Sequence, residues 1–352
     1  MKAIGLMSGS SLDAIDIAYC EFNKTEKKWS FQMPITESIP MPERWKARLI
    51  HLPTQSALVY VKTHTYLGHF LGETLCNFIQ KNQLKPDLIA SHGHTIFHKP
   101  QNLMTAQIGD GAAIAAITGI PTITQLRSSD VALGGQGAPI VPIGDKYLFA
   151  DHRFCLNLGG IANISVKTAD DMVAYDIGGA NQILNRLVGP LGIPYDDKGT
   201  LARKGQLNTD LFNALNELPF FRQLPPKSLS NQWVQTTLWE KIGTAALSVE
   251  DSLHTFCKHL AQQVATAISP YNPTKNDELL ITGGGAFNSF LVEQIAEAVP
   301  CKVVVPDEKI ISFKEALVMA FCGVLRWQQI PNVFSSVTGA KQDSVNGAVF
   351  IA

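Results

Sequence analysis

The run A-Y-D-I-G-G-A-N sets one carboxylate, Asp176, just ahead of a glycine pair, and L-N-L-G-G-I-A-N sets another pair, Gly159-Gly160, one strand earlier. Glycines carry no Cβ, so their backbone N–H groups can come close to an anion. A lone acid beside them can take a proton from a nucleophile. Cradle and base are the parts that phosphoryl transfer requires. The same residues allow a plainer role, in which Gly159-Gly160 turns a sheet corner and Asp176 caps a helix.

Other stretches could also carry chemistry. Gly9, Ser10 and Ser11 make a second small-residue tip, whose hydroxyls would add donors to phosphate, while Asp13 or Asp16 could hold a hydrated Mg²⁺. An ordinary N-terminal hairpin with a polar tip would look the same. Ser91, His92, Gly93, His94, Thr95 and His98 crowd three histidines together, but H-x-H-x-x-x-H brings no carboxylate and matches no usual ligand set. A polar loop at the C-terminal end of a strand, where α/β sites gather, suits them better. Arg127 and Asp130 leave a strand ahead of a Gly-Gly-Gln-Gly turn, a mixed-charge segment that is poor core material and fits the mouth of a cleft. Gly283, Gly284 and Gly285 stand between a strand and a helix, where bare backbone can lie against a flat ring or simply turn tightly.

The elements that must position these groups follow from periodicity. Alternation on either side of Gly159-Gly160 predicts a hairpin over 156–166, and residues 2–19 repeat the pattern around Ser8–Ser11. Two such hairpins, one near the start of each half, suggest a duplicated lobe with a ligand between the copies. Residues 21–37 read as a polar hairpin region, and Pro42 and Pro53 punctuate a loop-rich section. Helical spacing over 54–84 predicts one long or two short amphipathic helices, with His64 and His69 as surface or packing residues. Short strands are expected at 87–90, 122–126, 278–282 and 303–305, with helices after Gly109-Asp110, at 183–188, over 242–269 and over 313–327. Asp196, Asp197 and Lys198 fall in a polar loop, 208–240 reads as a variable cap, and 335–340 as a surface end. Pro139 and Pro142 mark the passage between lobes. The expected division is 1–126, joined by 336–352, against 127–335.

Composition narrows the function class. With 352 residues, 45% hydrophobic and 17% charged, the chain suits two α/β lobes of an enzyme. A formal net charge of −1 gives no electrostatic case for nucleic acid or an anionic membrane. Six scattered cysteines without C-x-x-C argue for reduced thiols and a cytoplasmic protein. No stretch approaches the roughly 20 apolar residues of a membrane span. G-x-G-x-x-G, G-x-x-x-x-G-K-[ST], G-x-S-x-G and H-E-x-x-H do not occur, which removes the usual support for dehydrogenase, P-loop, serine hydrolase and zincin chemistry.

Several motifs in this order resemble the anhydro-N-acetylmuramic acid kinase family, within the sugar kinase, heat-shock ATPase and actin superfamily. They are G-L-M-S-G-S-S-L-D-A-I-D, S-H-G-H-T, Q-I-G-D, R-S-S-D-V-A-L-G-G-Q-G-A-P, N-L-G-G-I-A-N-I, P-P-K-S, G-G-G-A-F-N, Glu315-Ala316 and S-V-T-G-A, spread nearly end to end. The resemblance implies an α/β fold of two ribonuclease-H-like lobes with a central nucleotide cleft. It implies that 1,6-anhydro-N-acetylmuramic acid, ATP and water become N-acetylmuramic acid 6-phosphate and ADP, in the recycling of cell wall. By the same resemblance Asp176 is the catalytic base. Gly9, Ser10, Ser11, Leu12, Asp13, Ala14, Ile15, Asp16, Asn157, Gly159, Gly160, Gly283, Gly284 and Gly285 bind ATP. Ser91, His92, Arg127, Asp130, Asn181 and Glu315 bind the sugar, and Asp13 reaches Mg²⁺ through water. The expected partners are ATP and a small sugar, with a homodimer left open and neither nucleic acid nor membrane.

The chain departs from the family at three places. The usual G-T-S-L-D-G is Gly9-Ser10-Ser11-Leu12-Asp13-Ala14, S-H-G-Q-T carries His94, and D-T-G-P-G-N carries Ile177, Gly179 and Ala180. Two alternatives stand beside the kinase: a kinase-like ATP-binding protein without this activity, and a kinase for another anhydro-sugar such as levoglucosan. Asp176 speaks against the first, since a pure nucleotide sensor needs no base there. The segment 127–139 speaks against the second.

Overall fold

The computed structural model describes residues 1–352 apart from Ser10, Ser11, Lys27 and Asp170. The chain forms two compact units, 1–149 with 313–352, and 150–312. In the first, β1 (Lys2–Ser8), β2 (Ala14–Lys24) and β3 (Trp29–Pro40) form an antiparallel meander. β4 (Leu88–Ser91) joins β1 in parallel; β5 (His94–Lys99) and β6 (Met104–Ile108) make a separate ribbon; and β7 (Thr122–Thr124) lies parallel to β4. The terminal strand Ala348–Phe350 closes the edge, antiparallel to β7.

The second unit repeats the plan. β8 (Phe154–Leu158), β9 (Ile161–Lys167) and β10 (Met172–Gly179) form the meander, and β11 (Glu278–Thr282) and β12 (Lys302–Val304) extend it in parallel from β8. The sheets run β3-β2-β1-β4-β7 and β10-β9-β8-β11-β12, one order used twice. This is the duplicated α/β, ribonuclease-H-like plan, with a glycine-bearing hairpin turn opening each copy.

Strand periodicity divides each sheet into two faces. Ile4 and Leu6 of β1, with Ile15 and Ile17 of β2, form a buried core with Leu67, Leu71 and Leu75 of the helix Ala57–Lys81. Gly5 points the other way, onto the helix Glu308–Trp327. A Cβ there would lie 1.8 Å from the Ala316 carbonyl oxygen and 2.6 Å from the Ala320 nitrogen, both backbone atoms that cannot swing aside. Gly5→Ala should therefore destabilise the protein by about 3 kcal/mol or more, an overpacking effect read as a lower denaturation midpoint. Gly189→Ala, at a position with open space and no positive φ, should leave the midpoint within about 1 kcal/mol of the parent.

Caps set several helix ends where the sequence placed them. Asp110 accepts from the Ala112 N–H (3.0 Å) at the start of Gly111–Thr118, and Gly119 ends that helix at φ +67. Ser248 caps Val249–Ile268, so this helix begins later than the apolar spacing over 242–269 suggests.

Other expectations change. Pro42 and Pro53 flank the helix Glu43–His51 rather than break a loop, because Pro42 stands before its first turn and Pro53 in the 3-10 turn that follows. The polar 21–37 region, by contrast, is the hairpin expected, formed by β2 and β3. The S-H-G-H-T-I-F-H run enters β5. Residues 208–240 are core rather than cap: Phe220, Phe221, Val234 and Leu238 are buried in the second unit's cluster.

The expected boundary after residue 126 moves to 149, and that before 336 moves to 313. Residues 127–149 are tied to the first unit by hydrogen bonds and charge. Asp130 donates its N–H to Asn346 Oδ1 (2.9 Å) and accepts from the Thr338 hydroxyl (2.7 Å), while Asp145 pairs with Lys314 at 2.7 Å in buried surroundings. Thr338 is accordingly buried rather than at a surface end. Among the described residues no helix is long and apolar enough to cross a membrane.

Candidate active site

In the second unit, Gly159 and Gly160 form the turn between β8 and β9. Their carbonyls accept from Asn181 N (3.1 Å) and Ala180 N (2.9 Å), which ties the turn to the start of the helix Asn181–Val188. The Asn157 side chain fills the space between this turn and the triple glycine. A Cβ on Gly283 would lie 2.6 Å from Asn157 Oδ1, and one on Gly159 3.3 Å from its Nδ2. Gly283 has φ +81, and a Cβ on Gly285 would strike the Leu158 side chain at 2.6 Å, so both must be glycine for the turn to pack on β8. Gly284 has nothing nearer than 3.6 Å and faces an opening.

That opening is a cavity of about 510 Å³ lined by Asn181, Tyr195, Asp197, Gly284, Phe287 and Glu308, among others. Tyr195 and Phe287 leave 58% and 45% of their surface exposed, an arrangement suited to a planar ring, and the two carboxylates can accept from exocyclic amine or sugar hydroxyls. Asn181, expected beside the sugar, donates to the Leu158 carbonyl (2.9 Å) and lines this cavity. Tyr195, Asp197, Phe287 and Glu308 were not singled out from sequence. The only signal was Phe287 within G-G-G-A-F-N and Tyr195-Asp196-Asp197 in a polar run.

Asp176 lies within β10. It pairs with Asn163 of β9, and the register then slips before Gly178, so a bulge follows the carboxylate. Its Oδ2 accepts from the Ser228 hydroxyl (3.0 Å) and the Leu229 N–H (2.8 Å). Burial raises its carboxyl above the ordinary range, and these two donors offset part of that.

The first unit holds a cavity of about 410 Å³ lined by Ser8, Gly9, His92, His94, Arg127 and Glu315, with Met7 and Thr95. Arg127 donates Nε–H to His92 Nε2 (2.9 Å) and Nη1 to the Gly137 carbonyl (2.6 Å), and among the described residues Nη2 has no hydrogen-bond partner. His92 is buried, and its proton belongs on Nδ1, 3.1 Å from the Gly93 carbonyl. Burial, then the neighbouring guanidinium, pushes its pKa down to about 3, so it is a neutral brace. Burial also lowers Arg127 to about 10, which leaves it charged at neutral pH. Glu315 is exposed at this cavity; desolvation by the surrounding protein raises its carboxyl and Arg127 opposes the rise.

Several expected ligand groups have other tasks. Asp130 is fully buried, with Oδ2 taking the Gly137 N–H (2.7 Å) and Oδ1 the Thr338 hydroxyl (2.7 Å), so it folds the glycine loop instead of facing a sugar. Ser91 is buried too, its hydroxyl accepting from Gly93 N (3.2 Å). Leu12 and Ile15 turn their side chains into the core, so these two can meet ATP through backbone alone. Ala14 begins β2, Asp13 is exposed, and Ser10 and Ser11 lie outside the described residues. Asp16 is half-buried, and one carboxylate oxygen accepts from Ser38 (2.7 Å). Among the described residues no three His, Cys, Asp or Glu side chains gather in a metal-binding group.

A protein-family model described as anhydro-N-acetylmuramic acid kinase matches residues 1–352. The chain belongs to the anhydro-N-acetylmuramic acid kinase family. A relative named for that activity in Gloeobacter violaceus is 33% identical over 361 residues, 96% of this chain and 95% of its own. One in Vibrio cholerae serotype O1 is 31% identical over 369 residues (99% and 97%), and one in Zymomonas mobilis subsp. mobilis 33% over 374 (99% and 99%), both with the same name. Against the family pattern stated above, the departures after Asp176 fall on the core side. Ile177 and Ala180 are 2% and 0% exposed, and a Cβ on Gly179 would meet Leu238 and Val234 within 2.9 Å. The unaltered member Asp176 is half-buried and keeps its hydrogen bonds.

Proposed function

We infer that this kinase hydrolytically opens 1,6-anhydro-N-acetylmuramic acid and phosphorylates its O6, giving N-acetylmuramic acid 6-phosphate and ADP. The observation that carries this is Asp176: in a chain of this family, one carboxylate oxygen is clamped by Ser228 and Leu229 while Oδ1 is left to act. The substrate has no 6-hydroxyl until its C1–O6 bond breaks. Asp176 takes a proton from a water attacking C1; the C1–O6 bond breaks with inversion, as in glycosidases that use water directly. O6, gaining charge, attacks the γ-phosphorus in line, and the bond to ADP breaks. The γ-phosphoryl group thus takes the place of the proton that a glycosidase would give its leaving oxygen, and Asp176 returns its proton to solvent.

The cavity of Tyr195, Phe287, Gly284 and Glu308 suits adenosine, and the backbone at Gly159-Gly160 of the same unit suits phosphate; in the first unit the backbone at Gly9 has the same character. Asp13 is exposed and Asp16 accepts from Ser38 with one of its two carboxylate oxygens, so either would hold Mg²⁺ through water, and the ion would supply positive charge to the phosphate oxygens.

Arg127 suits the sugar. Its Nη2 offers a charged donor to the lactyl carboxylate that distinguishes a muramic sugar from levoglucosan. Arg127→Ala should raise KM for the anhydro-muramic sugar by about 30- to 100-fold, the worth of a charge-assisted bond, with ATP affinity unchanged. Steady-state kinetics and ATP titration check this. Equal sugar KM in parent and variant would remove Arg127 from the sugar site.

The function itself is tested by incubating the purified chain with ATP, Mg²⁺ and the anhydro-sugar. ADP and sugar phosphate should appear in equal amounts. Bound ATP with no sugar phosphate would overturn the assignment.

A further inference from the structure

The P-P-K-S motif ends in Ser228, and it is the segment that touches Asp176. β10 is an edge strand of its sheet, so among the described residues no other strand pairs with its outer side. Residues 227–229 occupy that side: Asp176 donates its N–H to the Lys227 carbonyl (3.1 Å), and Leu229 N–H and the Ser228 hydroxyl both return to Asp176 Oδ2. Backbone pairing fixes where the segment lies; the two bonds to Oδ2 fix which way the carboxylate points.

We propose that Ser228 is a positioning residue for the base, holding Oδ2 so that Oδ1 alone takes the proton from the attacking water. This rests on the functional assignment above. A carboxylate has two equivalent oxygens and rotates easily about its terminal torsion. With two donors on one oxygen, rotation is blocked and the other lone pairs are aimed. Both donors favour the charged form, which keeps the carboxylate ready to accept despite its half-buried setting. Among the described residues no charge competes for this task. Asn163 opposite on β9 is neutral, and Lys227 turns its ammonium to the Phe220 carbonyl (3.3 Å) and ring (4.6 Å). Ser228 is itself exposed, so its removal opens no core cavity.

Ser228→Ala tests this with two independent readouts. In the unliganded protein with ¹³C-labelled aspartate, the Asp176 carboxyl should titrate about one pH unit higher than in the parent, the effect of losing one bond to the charged form. In turnover, the acid limb of kcat/KM should move up by the same amount. On the plateau kcat should fall several-fold, with KM for ATP and sugar unchanged. Ser228→Thr, which keeps the hydroxyl, should restore both profiles. An unmoved carboxyl titration in folded Ser228→Ala, or a Thr variant no better than the Ala one, would overturn the proposal. Should the Ala variant fail to fold, Ser228→Cys, with its weaker donor, supplies the comparison: an unmoved titration there would overturn it equally. A parent protein inactive on the sugar but showing the expected titration shift would refute the assigned reaction and leave the Ser228–Asp176 coupling standing.

Discussion

Asp176→Asn should lower kcat by about 10²–10⁴-fold, the usual worth of a positioned base, while ATP and sugar still bind. The substitution is nearly isosteric. Its amide oxygen can accept from Ser228 and Leu229 where Oδ2 now does, and its NH₂ group then occupies the place of Oδ1 without the capacity to take a proton. Geometry survives and basicity is lost. Because burial raises the Asp176 carboxyl, the parent's activity should fall with decreasing pH from above the ordinary carboxylate range, as the base becomes protonated. The residual activity of the Asn variant should lack that acid limb. Rates within a few-fold of the parent would assign the base elsewhere.

On the proposed function, Gly159→Val should weaken ATP binding by about 100-fold or more, measured by calorimetric titration, because its side chain would stand where backbone N–H groups approach phosphate. The chain itself should remain folded. Gly159 is outside the left-handed region, and its new Cβ would meet Asn157 Nδ2 and the Ile161 carbonyl oxygen at 3.3 Å, tight contacts that small shifts relieve. Gly283 and Gly285 are different, since a Cβ at either strikes β8 directly. A folded Gly159→Val protein with parental ATP affinity would detach this turn from the phosphates.

Local signals carried much of this architecture. The alternation around Gly159-Gly160 gives β8 and β9, Asp110 and Gly119 bracket their helix, and the strand before the triple glycine lies where its apolar run predicts. What sequence hid was set by partners far along the chain. Asp130 looks like a ligand-facing acid because a polar residue in a glycine-rich loop gives the same pattern whether it meets a sugar or a hydroxyl 208 positions away. The boundary moved for the same reason, since 127–149 are held by bonds to residues beyond 313. The ribbon β5–β6 was masked by its histidines and threonines, which suit a two-stranded ribbon but spell no alternating apolar face. Ser228 stands 52 residues from the carboxylate it holds, and nothing in P-P-K-S names that partner.

Turnover in ¹⁸O-labelled water tests the central claim most directly, since the origin of each product oxygen follows from which bonds break. Purified protein, ATP and 1,6-anhydro-N-acetylmuramic acid would be reacted in the labelled solvent, and the sugar phosphate fragmented early in the reaction by mass spectrometry, before the anomeric oxygen exchanges with solvent. Water attack at C1 with O6 as the phosphoryl acceptor predicts the label on C1 and none in the phosphate. Label in the phosphate, or an unlabelled C1, would contradict it.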